Sequence, residues 1–283
     1  MTGERTGRKK MGSLSELIRT RKSVRSFDGR ELQRKDLDKL RMYASEIENP
    51  FGIPVEFVFL DAGMYGLSSP VISGEKYYVM GKVAKKPYAD VAFGFAFEKL
   101  VLYAWSLGIG TTWIGGTMKR SAFEKAAGLK KGFMMPCISP LGYPSGKRSL
   151  QETVMRKAIG ADSRMEAGKL FFEGNFSTPV SGPEKEKIAD LIEMVRWSPS
   201  AVNKQPWRIL YKDGLYHFYE KKDRGYQNES TGDLQKIDVG IALCHFVMGA
   251  EEHGLKAEAA ISDPGVPTSS DMEYIVSVAL KES

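Results

Sequence analysis

The first feature that suggests chemistry is a run of alternating cations near the N-terminus. Arg21, Ser23 and Arg25 alternate within residues 21–27, directly after a helix predicted over residues 14–19. An extended backbone would place these three side chains on one side. Two guanidinium groups and a hydroxyl there would suit a phosphate, because the guanidinium fork matches phosphate oxygens. A solvated basic loop is the alternative, and the run alone slightly favours it.

A second candidate segment covers residues 197–207, where a predicted helix ends and a strand begins. Its small residues Ser200 and Ala201 would permit close approach by a flat ligand. Asn203 and Gln205 offer amide donors and acceptors. The segment could also be an arbitrary turn, although its eleven residues form an unusually specific string.

A glycine-rich turn and a basic strand end complete the candidate sites. Residues 108–116 follow a helix and lack the glycine spacing of a dinucleotide fingerprint. Gly115 and Gly116 have no side chains, so their backbone N–H groups could lie against the edge of a ring. A predicted strand ends at residues 141–144. Two further cations come after it, Lys147 and Arg148.

The elements that must position these residues occur twice. Residues 36–59 and 188–211, at an offset of 152, both read as an amphipathic helix, a polar loop, a proline and a strand. Asp90-Val91 and Asp238-Val239 are each predicted to open an apolar helix. These helices end at Gly108 and Gly254, which suit helix C-caps. Chance similarity between amphipathic helices is the alternative, but the shared order of elements favours an internal repeat.

The repeat predicts an α+β fold with two halves, 12–155 and 164–283, and a disordered tail at 1–11. A central, mainly antiparallel sheet flanked by helices is expected. Two copies in one chain can mimic a twofold dimer that has its ligand sites between the copies. We therefore expect a monomer that acts as a pseudo-dimer.

The composition fits a globular protein, with 42% apolar and 27% charged residues among 283. No apolar run is long enough to span a membrane, and the start does not resemble a signal peptide, so a cytoplasmic location is expected. Cys137 and Cys244 are predicted to be buried free thiols. The net charge of +6 is not organised as a nucleic-acid-binding module, but it would attract an anionic ligand. The three histidines have no metal-ligand spacing.

Taken together, the four motifs resemble those of the nitroreductase family. They are R-x-S-x-R, S-P-S-x-x-N-x-Q-P-W, an I-G-G turn after a helix, and a G-Y-P strand end followed by basic residues. The resemblance runs from Arg21 to Gly254. It implies FMN at the interface between the two halves. One wall of that site would contain Arg21, Lys22, Ser23, Arg25, Trp113, Gly115, Gly116, Lys147 and Arg148. The opposite wall would contain Pro199, Ser200, Ala201 and Asn203.

Departures from the family pattern suggest that one of two equivalent sites is lost. The second copy has Phe-Phe-Glu-Gly-Asn-Phe at 171–176 in place of R-x-S-x-R. In the first copy Glu46-Ile47-Glu48 replaces the S-P-S motif, and Phe51 falls where Asn203 would be. This resembles a duplicated, fused-dimer subfamily of nitroreductases. One FMN per chain is expected, with side chains such as Phe51 and Phe171 filling the second site.

The resemblance implies an FMN-dependent oxidoreductase that transfers hydride from NADH or NADPH to a small acceptor such as a nitroaromatic or a quinone. The chemistry would belong to the cofactor, and no residue is expected to act as a nucleophile. Arg25 is the candidate cation for the pyrimidine end of the flavin. The alternatives are an FMN-binding protein with other flavin chemistry, and a flavin-free scaffold or nucleic-acid-binding protein that retains the fold.

Overall fold

The computed structural model describes residues 12–146, 150–158 and 160–282. The N-terminal tail predicted over residues 1–11 lies outside the described residues. Within the described ranges, none of the helices combines the length and the apolar character needed to cross a membrane.

The first half is built on a four-stranded antiparallel sheet. Strand β2 pairs with β1 on one side and with β3 and β4 on the other. Its strands are β1 (Val55–Asp61), β2 (Tyr77–Ala84), β3 (Phe133–Met134) and β4 (Ile138–Leu141). The helices are α1 (Leu14–Thr20), α2 (Arg34–Ser45), α3 (Ala62–Tyr65), α4 (Ala89–Ser106), α5 (Arg120–Ala126) and α6 (Leu150–Ala158).

The second half is built on a six-stranded sheet, in the order β11-β12-β8-β7-β5-β6. Only β5 and β7 pair in parallel among the strands described in this sheet. The strands are β5 (Phe171–Glu173), β6 (Asn175–Pro179), β7 (Trp207–Lys212), β8 (Leu215–Lys221), β11 (Leu255–Ala260) and β12 (Met272–Glu282), and a separate hairpin pairs β9 (Gln227–Asn228) with β10 (Gly232–Asp233). The α-helices are α7 (Gly182–Lys187), α8 (Ala189–Arg196) and α9 (Leu234–Glu252), and 3-10 turns cover Ala167–Lys169 and Ala201–Asn203.

The two long helices lie between the sheets and divide them. Helix α4 contributes to the core of the first sheet, and α9 contributes to that of the second. Each helix also enters the other's core: Ile237 and Ile241 pack in the first core, and Val91 and Phe95 in the second. Helices that are apolar on every side must be buried on every side. The molecule therefore has two sheets around a helix pair, where the sequence predicted a single central sheet.

Glycines let the two long helices touch at their backbones. A Cβ at Gly94 would lie 2.0 Å from the carbonyl oxygen of Ile237, and a Cβ at Gly240 would lie 2.1 Å from that of Val91. An offset of 146 residues relates both the glycines and their partners. Such reciprocal contacts are characteristic of an interface between two equivalent copies. They support an internal duplication, which remains a prediction.

Most of the predicted local structure is present. Helices cover 14–19, 36–42 and most of 188–194, and strands follow Pro54 and Pro206. Gly108 and Gly254 have φ values of +78° and +72°, as helix-ending glycines require. Both cysteines are buried free thiols, and burial raises the pKa of Cys137 to about 12.

The predicted start of the second long helix is wrong. Helix α9 begins at Leu234, so Asp238 lies one turn inside it. The physical reason is an N-cap: the Asp233 carboxylate accepts hydrogen bonds from the backbone N–H groups of Gln235 and Lys236, at 3.0 and 3.2 Å. Asp90, by contrast, does lie in the first turn of α4.

Candidate functional site

A cavity of about 290 Å³ lies where the two halves meet. The first half contributes the end of α1 and the start of the R-x-S-x-R run. The second half contributes the loop after α8. The segment that joins the halves, residues 156–158 and 160–164, here called the connecting segment, forms a third wall. The lining residues are Arg19, Thr20, Arg21, Lys22, Ser23, Arg156, Ala161, Asp162, Arg164, Trp197, Pro199, Ser200 and Asn203.

The cavity is strongly cationic, since its described lining includes five Arg and Lys side chains and one carboxylate. Arg21 is the most buried of the five, at 8% exposure. Its Nε and Nη1 atoms are buried without a hydrogen-bond partner. The Glu98 carboxylate lies 3.8 Å from Nε, which is too long for a hydrogen bond. Burial lowers the pKa of Arg21, and this carboxylate only partly opposes that effect.

Arg164 faces the same cavity from the connecting segment. Its guanidinium lies over the Trp197 ring, 4.6 Å from the ring centre. One end of the guanidinium donates to the carbonyl oxygens of Ala161 and Ser163, at 3.0 and 2.6 Å. The Nε atom is buried and has no partner. Burial, followed by the charge of Arg21, lowers the pKa of Arg164 to about 10.

These unpartnered guanidinium atoms are suited to an anionic ligand. A buried donor without a partner costs about 1–3 kcal/mol, and more when the donor is charged. The charge of Arg21 contributes to the lowered pKa of Arg164, and the charge of Arg156 contributes to the lowered pKa of Arg21, because like charges repel in a desolvated place. Arg156 adds a third guanidinium, whose charge is shared with Asp162 through an ion pair. A ligand with several negatively charged oxygens would satisfy these donors together.

The loop opposite Arg21 has a strained backbone. Val202, Asn203 and Gln205 have φ values of +43°, +59° and +51°, in the left-handed region that favours glycine. Strain of this kind costs about 1–3 kcal/mol per residue and is often found at ligand sites. The surrounding structure must therefore hold the loop in place.

Three side chains hold this loop. The Asp238 carboxylate, on α9, accepts a hydrogen bond from the backbone N–H of Ala201 at 3.0 Å. Complete burial raises the pKa of Asp238 well above its ordinary value. Ser200 Oγ accepts from the backbone N–H of Gln205 at 2.9 Å, which leaves the Ser200 hydroxyl proton available to a ligand. Asn203 Nδ2 donates to the carbonyl oxygen of Gly160 at 2.8 Å and so ties the loop to the connecting segment.

A buried carboxylate behind Arg21 connects the two halves. Glu98, on α4, is completely buried. Its Oε2 accepts a hydrogen bond from Trp113 Nε1 at 3.0 Å, and its Oε1 lies 3.1 Å from His245 Nε2 on α9. The other ring nitrogen of His245 lies 2.9 Å from the carbonyl oxygen of Met194. The carboxylate beside Arg21 is therefore fixed by both long helices.

The structure brings together some of the residues predicted for the two walls. Six of them line the cavity: Arg21, Lys22, Ser23, Pro199, Ser200 and Asn203. The backbone of Ala201 is held nearby by Asp238, but Ala201 does not line the cavity. Arg25 lies outside the lining, and its pKa is lowered by partial burial. Lys147 and Arg148 lie outside the described residues.

The residues of the predicted ring-binding turn do not line the cavity. The Trp113 indole packs in the core of the first half, with its ring centre 4.7 Å from that of Phe97. A Cβ at Gly115 would contact the side chains of Cys137 and Leu234, so the start of α9 lies over this glycine. Gly116 has open space around its Cα but does not line the cavity. Assigning this turn to a flavin wall therefore stays a prediction.

A groove of about 390 Å³ adjoins the cavity and shares Lys22 and Ser23 with it. Its other lining residues are Val24, Ser26, Pro144, Ser145, Gly146 and Glu152. Glu152 is buried and accepts a hydrogen bond from Ser26 Oγ at 3.2 Å. The groove extends the site along the R-x-S-x-R run toward the G-Y-P strand end.

Sequence reasoning missed several residues at or behind the cavity, among them Glu98, Arg156 and Arg164. None of these three belongs to a motif with a recognisable spacing. Glu98 is one charged residue in an apolar helix, which was a weak signal of a buried polar contact. Arg156 and Arg164 had no distinguishing signal, because their proximity to Arg21 depends on how the two halves pack.

Comparison with known proteins identifies the family of this two-sheet fold. The chain belongs to the family described as "Putative TM nitroreductase", whose model matches residues 13–250. A Thermotoga maritima structure described as a putative nitroreductase has the same fold over its full length, with a TM-score of 0.63 and 20% identity over 99% of both chains.

Shorter structures match half of the chain. An FMN-dependent nitroreductase from Clostridium difficile is 18% identical over 47% of this chain and 88% of its own, with a TM-score of 0.40. A Clostridium acetobutylicum structure described as a putative NADH oxidase is 18% identical over 48% of this chain and 90% of its own, with a TM-score of 0.39. No curated protein matches the sequence.

Proposed function

We propose that this protein is an FMN-dependent oxidoreductase that takes hydride from NADH or NADPH and passes it to a small acceptor such as a nitroaromatic or a quinone. One observation carries the proposal: the Nε and Nη1 atoms of Arg21 are buried without a hydrogen-bond partner, and Arg21 lines a cavity that both halves form. Membership of the nitroreductase family supports it.

The cavity fits the phosphate of FMN. Arg21 offers two unpartnered N–H groups, and the Ser200 hydroxyl can donate a third hydrogen bond. Charge-assisted hydrogen bonds of this kind are shorter and about twice as strong as neutral ones. A ligand that extends from the cavity into the adjoining groove would contact Lys22 and Ser23, since both residues line both spaces.

The reaction divides the work between cofactor and protein. FMN, when bound, supplies the hydride chemistry, while the protein supplies binding, orientation and electrostatics. Arg21 fixes the anionic end of the ligand, and Glu98 holds a compensating charge behind it. Lys22 adds positive charge to the groove. Arg25, the cation expected at the pyrimidine end of the flavin, would stabilise negative charge on a bound ligand. None of the described side chains is proposed as a nucleophile.

The four motifs are complete for only one of the two sites expected from the repeat, which suggests one FMN per chain. Both walls of the cationic cavity belong to a single chain, so we also propose that the monomer is active. The cytoplasmic location expected from the sequence remains part of this proposal.

The test is a titration of the purified full chain with FMN, followed by addition of NADH or NADPH without oxygen. We expect one equivalent to bind, bleaching of the flavin colour by the nicotinamide, and return of the colour with a quinone. Two equivalents per chain would contradict the asymmetric site. Flavin binding without bleaching would favour an FMN-binding protein with other chemistry, and no flavin binding would favour a flavin-free scaffold.

A further inference from the structure

The arginines of the connecting segment have no role in the site predicted from the motifs. Arg156 lies in α6, and Arg164 lies between α6 and the 3-10 turn at Ala167–Lys169. Both line the cavity, together with Arg21. The side chain of Arg156 is only 10% exposed, although its partner Asp162 is 79% exposed. Three guanidinium groups thus line one cavity.

Two contacts orient Arg164 toward this space. Trp197 carries the flat face of the guanidinium, and the carbonyl oxygens of Ala161 and Ser163 hold one of its terminal nitrogens. The Nε atom remains without a partner. A guanidinium fixed in this way presents its remaining donors in one geometry, which is how arginine recognises phosphate.

The connecting segment is itself fixed to the strained loop. Asn203 Nδ2 lies 2.8 Å from the carbonyl oxygen of Gly160 and 3.1 Å from that of Ser163. The amide group of Asn203 therefore donates its hydrogen bonds to the connecting segment, and this contact helps to place Arg164 beside Arg21. Placing three cations together opposes folding because like charges repel, and an anionic ligand would offset that repulsion.

We propose that the connecting segment completes the phosphate site, and that Arg156 and Arg164 bind a terminal phosphate monoester together with Arg21. This inference rests on the proposed function for the identity of the ligand as FMN. It goes beyond that function by assigning the phosphate contacts to a segment outside the four motifs. A terminal phosphate with two charges satisfies three guanidinium groups better than a diester or an uncharged alcohol can.

The test compares inorganic phosphate, FMN and riboflavin as ligands of the full chain by calorimetric titration. The variants are Arg164→Gln and Arg156→Gln. Arg34→Gln is the matched control, because it removes one positive charge at a side chain that is 96% exposed. We expect Arg164→Gln to weaken phosphate and FMN binding about tenfold or more, and Arg34→Gln to change neither. Arg164→Lys should restore only part of the affinity, because lysine lacks the fork.

Riboflavin separates the phosphate site from the rest of the flavin site. It lacks the phosphate, so its affinity should be the same in the Arg164→Gln variant and in the unchanged protein. Arg156→Gln provides a second reading if Arg164→Gln does not fold. Unchanged phosphate affinity in both variants, or no phosphate binding to the unchanged protein, would overturn the inference.

The outcomes also separate this inference from the proposed function. If phosphate binds and depends on Arg164 while flavins do not bind, the connecting-segment site stands and the FMN proposal fails. If FMN binds equally well to the unchanged protein and both variants, the FMN proposal stands and this inference fails.

Discussion

Two corresponding loops lie at the junctions between the halves, and they differ in which residues adopt a left-handed backbone conformation. At an offset of 152 residues, the loop around Phe51 corresponds to the loop around Asn203. The Phe51 loop places its left-handed residue at Gly52, with a φ of +59°. The Asn203 loop instead has three non-glycine residues with left-handed φ, Val202 among them. One loop is relaxed, and the other is held under strain.

The relaxed loop borders an apolar groove, whereas the strained loop borders the cationic cavity. The Phe51 loop borders a groove of about 410 Å³ whose described lining is mainly apolar, with Lys86 as its charged residue. The Phe51 ring stacks on that of Tyr88, with the ring centres 5.5 Å apart. Tyr88 also has a left-handed φ, of +65°, but at the N-cap of α4 and not in the loop. The strained loop faces the cationic cavity, which indicates that the strain serves ligand binding.

Removal of Arg21 should give the largest difference between the two junctions. Arg21→Ala should weaken FMN binding at least about tenfold, since each charge-assisted hydrogen bond contributes about 1.5–3 kcal/mol. Arg34→Ala is the control for a lost exposed charge. Fluorescence titration with FMN measures the effect. An unchanged dissociation constant would mean that Arg21 does not bind FMN. The proposed difference between the cationic and the apolar junction would then lose its main support.

The second prediction concerns Asp238, which holds the strained loop. Its pKa is raised by burial and then by the charges of Asp233 and Glu220, so its contribution favours folding at low pH. That contribution is lost as the pH rises above the unfolded carboxyl value of 3.8 and through the raised folded value. Asp238→Asn keeps an oxygen acceptor for the Ala201 N–H but cannot ionise.

We therefore expect the free energy of unfolding of the unchanged protein to fall more steeply with pH than that of Asp238→Asn. The difference should be at most about 1.4 kcal/mol per pH unit, the limit for one proton. Chemical denaturation at several pH values measures it. Asp38→Asn, at a side chain that is 58% exposed, should not change the slope. Parallel slopes for the unchanged protein and Asp238→Asn would refute the prediction.

The third prediction concerns the opposite junction. Phe51→Ala should lower the free energy of unfolding by about 1–2 kcal/mol, because it removes a stacked, partly buried aromatic pair. FMN affinity and the stoichiometry of one per chain should not change. Thermal unfolding and FMN titration of the same preparation measure both quantities. A clear loss of FMN affinity would mean that the Phe51 groove also takes part in flavin binding.

The smallest effects should come from placing glycine in the strained loop and a branched residue in the relaxed loop. Val202→Gly should raise the free energy of unfolding by up to about 1 kcal/mol, because relief of left-handed strain exceeds the entropy cost of glycine. Val202 is 54% exposed, so little packing is lost. Gly52→Val should have the opposite sign, and since nothing lies within 4 Å of its Cβ position, the loss would come from the backbone alone. Equal signs for the two variants would contradict the comparison.

Several parts of the fold and the candidate site followed from local patterns. Helix and strand positions, the helix-ending glycines and the buried cysteines depend on a few neighbouring residues, and all were predictable. The start of α9 was missed because the Asp-Val pair at 238 resembled the helix start at Asp90, whereas the capping signal at Asp233 lay five residues earlier. The apolar helices α4 and α9 carry no polar face, so their sequences did not reveal that they divide the sheet in two.

The sequence by itself determined the nitroreductase-type order of elements and which residues of the R-x-S-x-R run and the 199–203 loop were candidates for one site. Only the tertiary structure placed Arg164 and Arg156 beside Arg21, and paired Glu98 with His245 across 147 residues. The periodicity of helices and strands and the capping of helices depend on a few neighbouring residues, so they can be read from the sequence. Contacts between the halves depend instead on the close approach of α4 and α9 at Gly94 and Gly240, which no local pattern specifies.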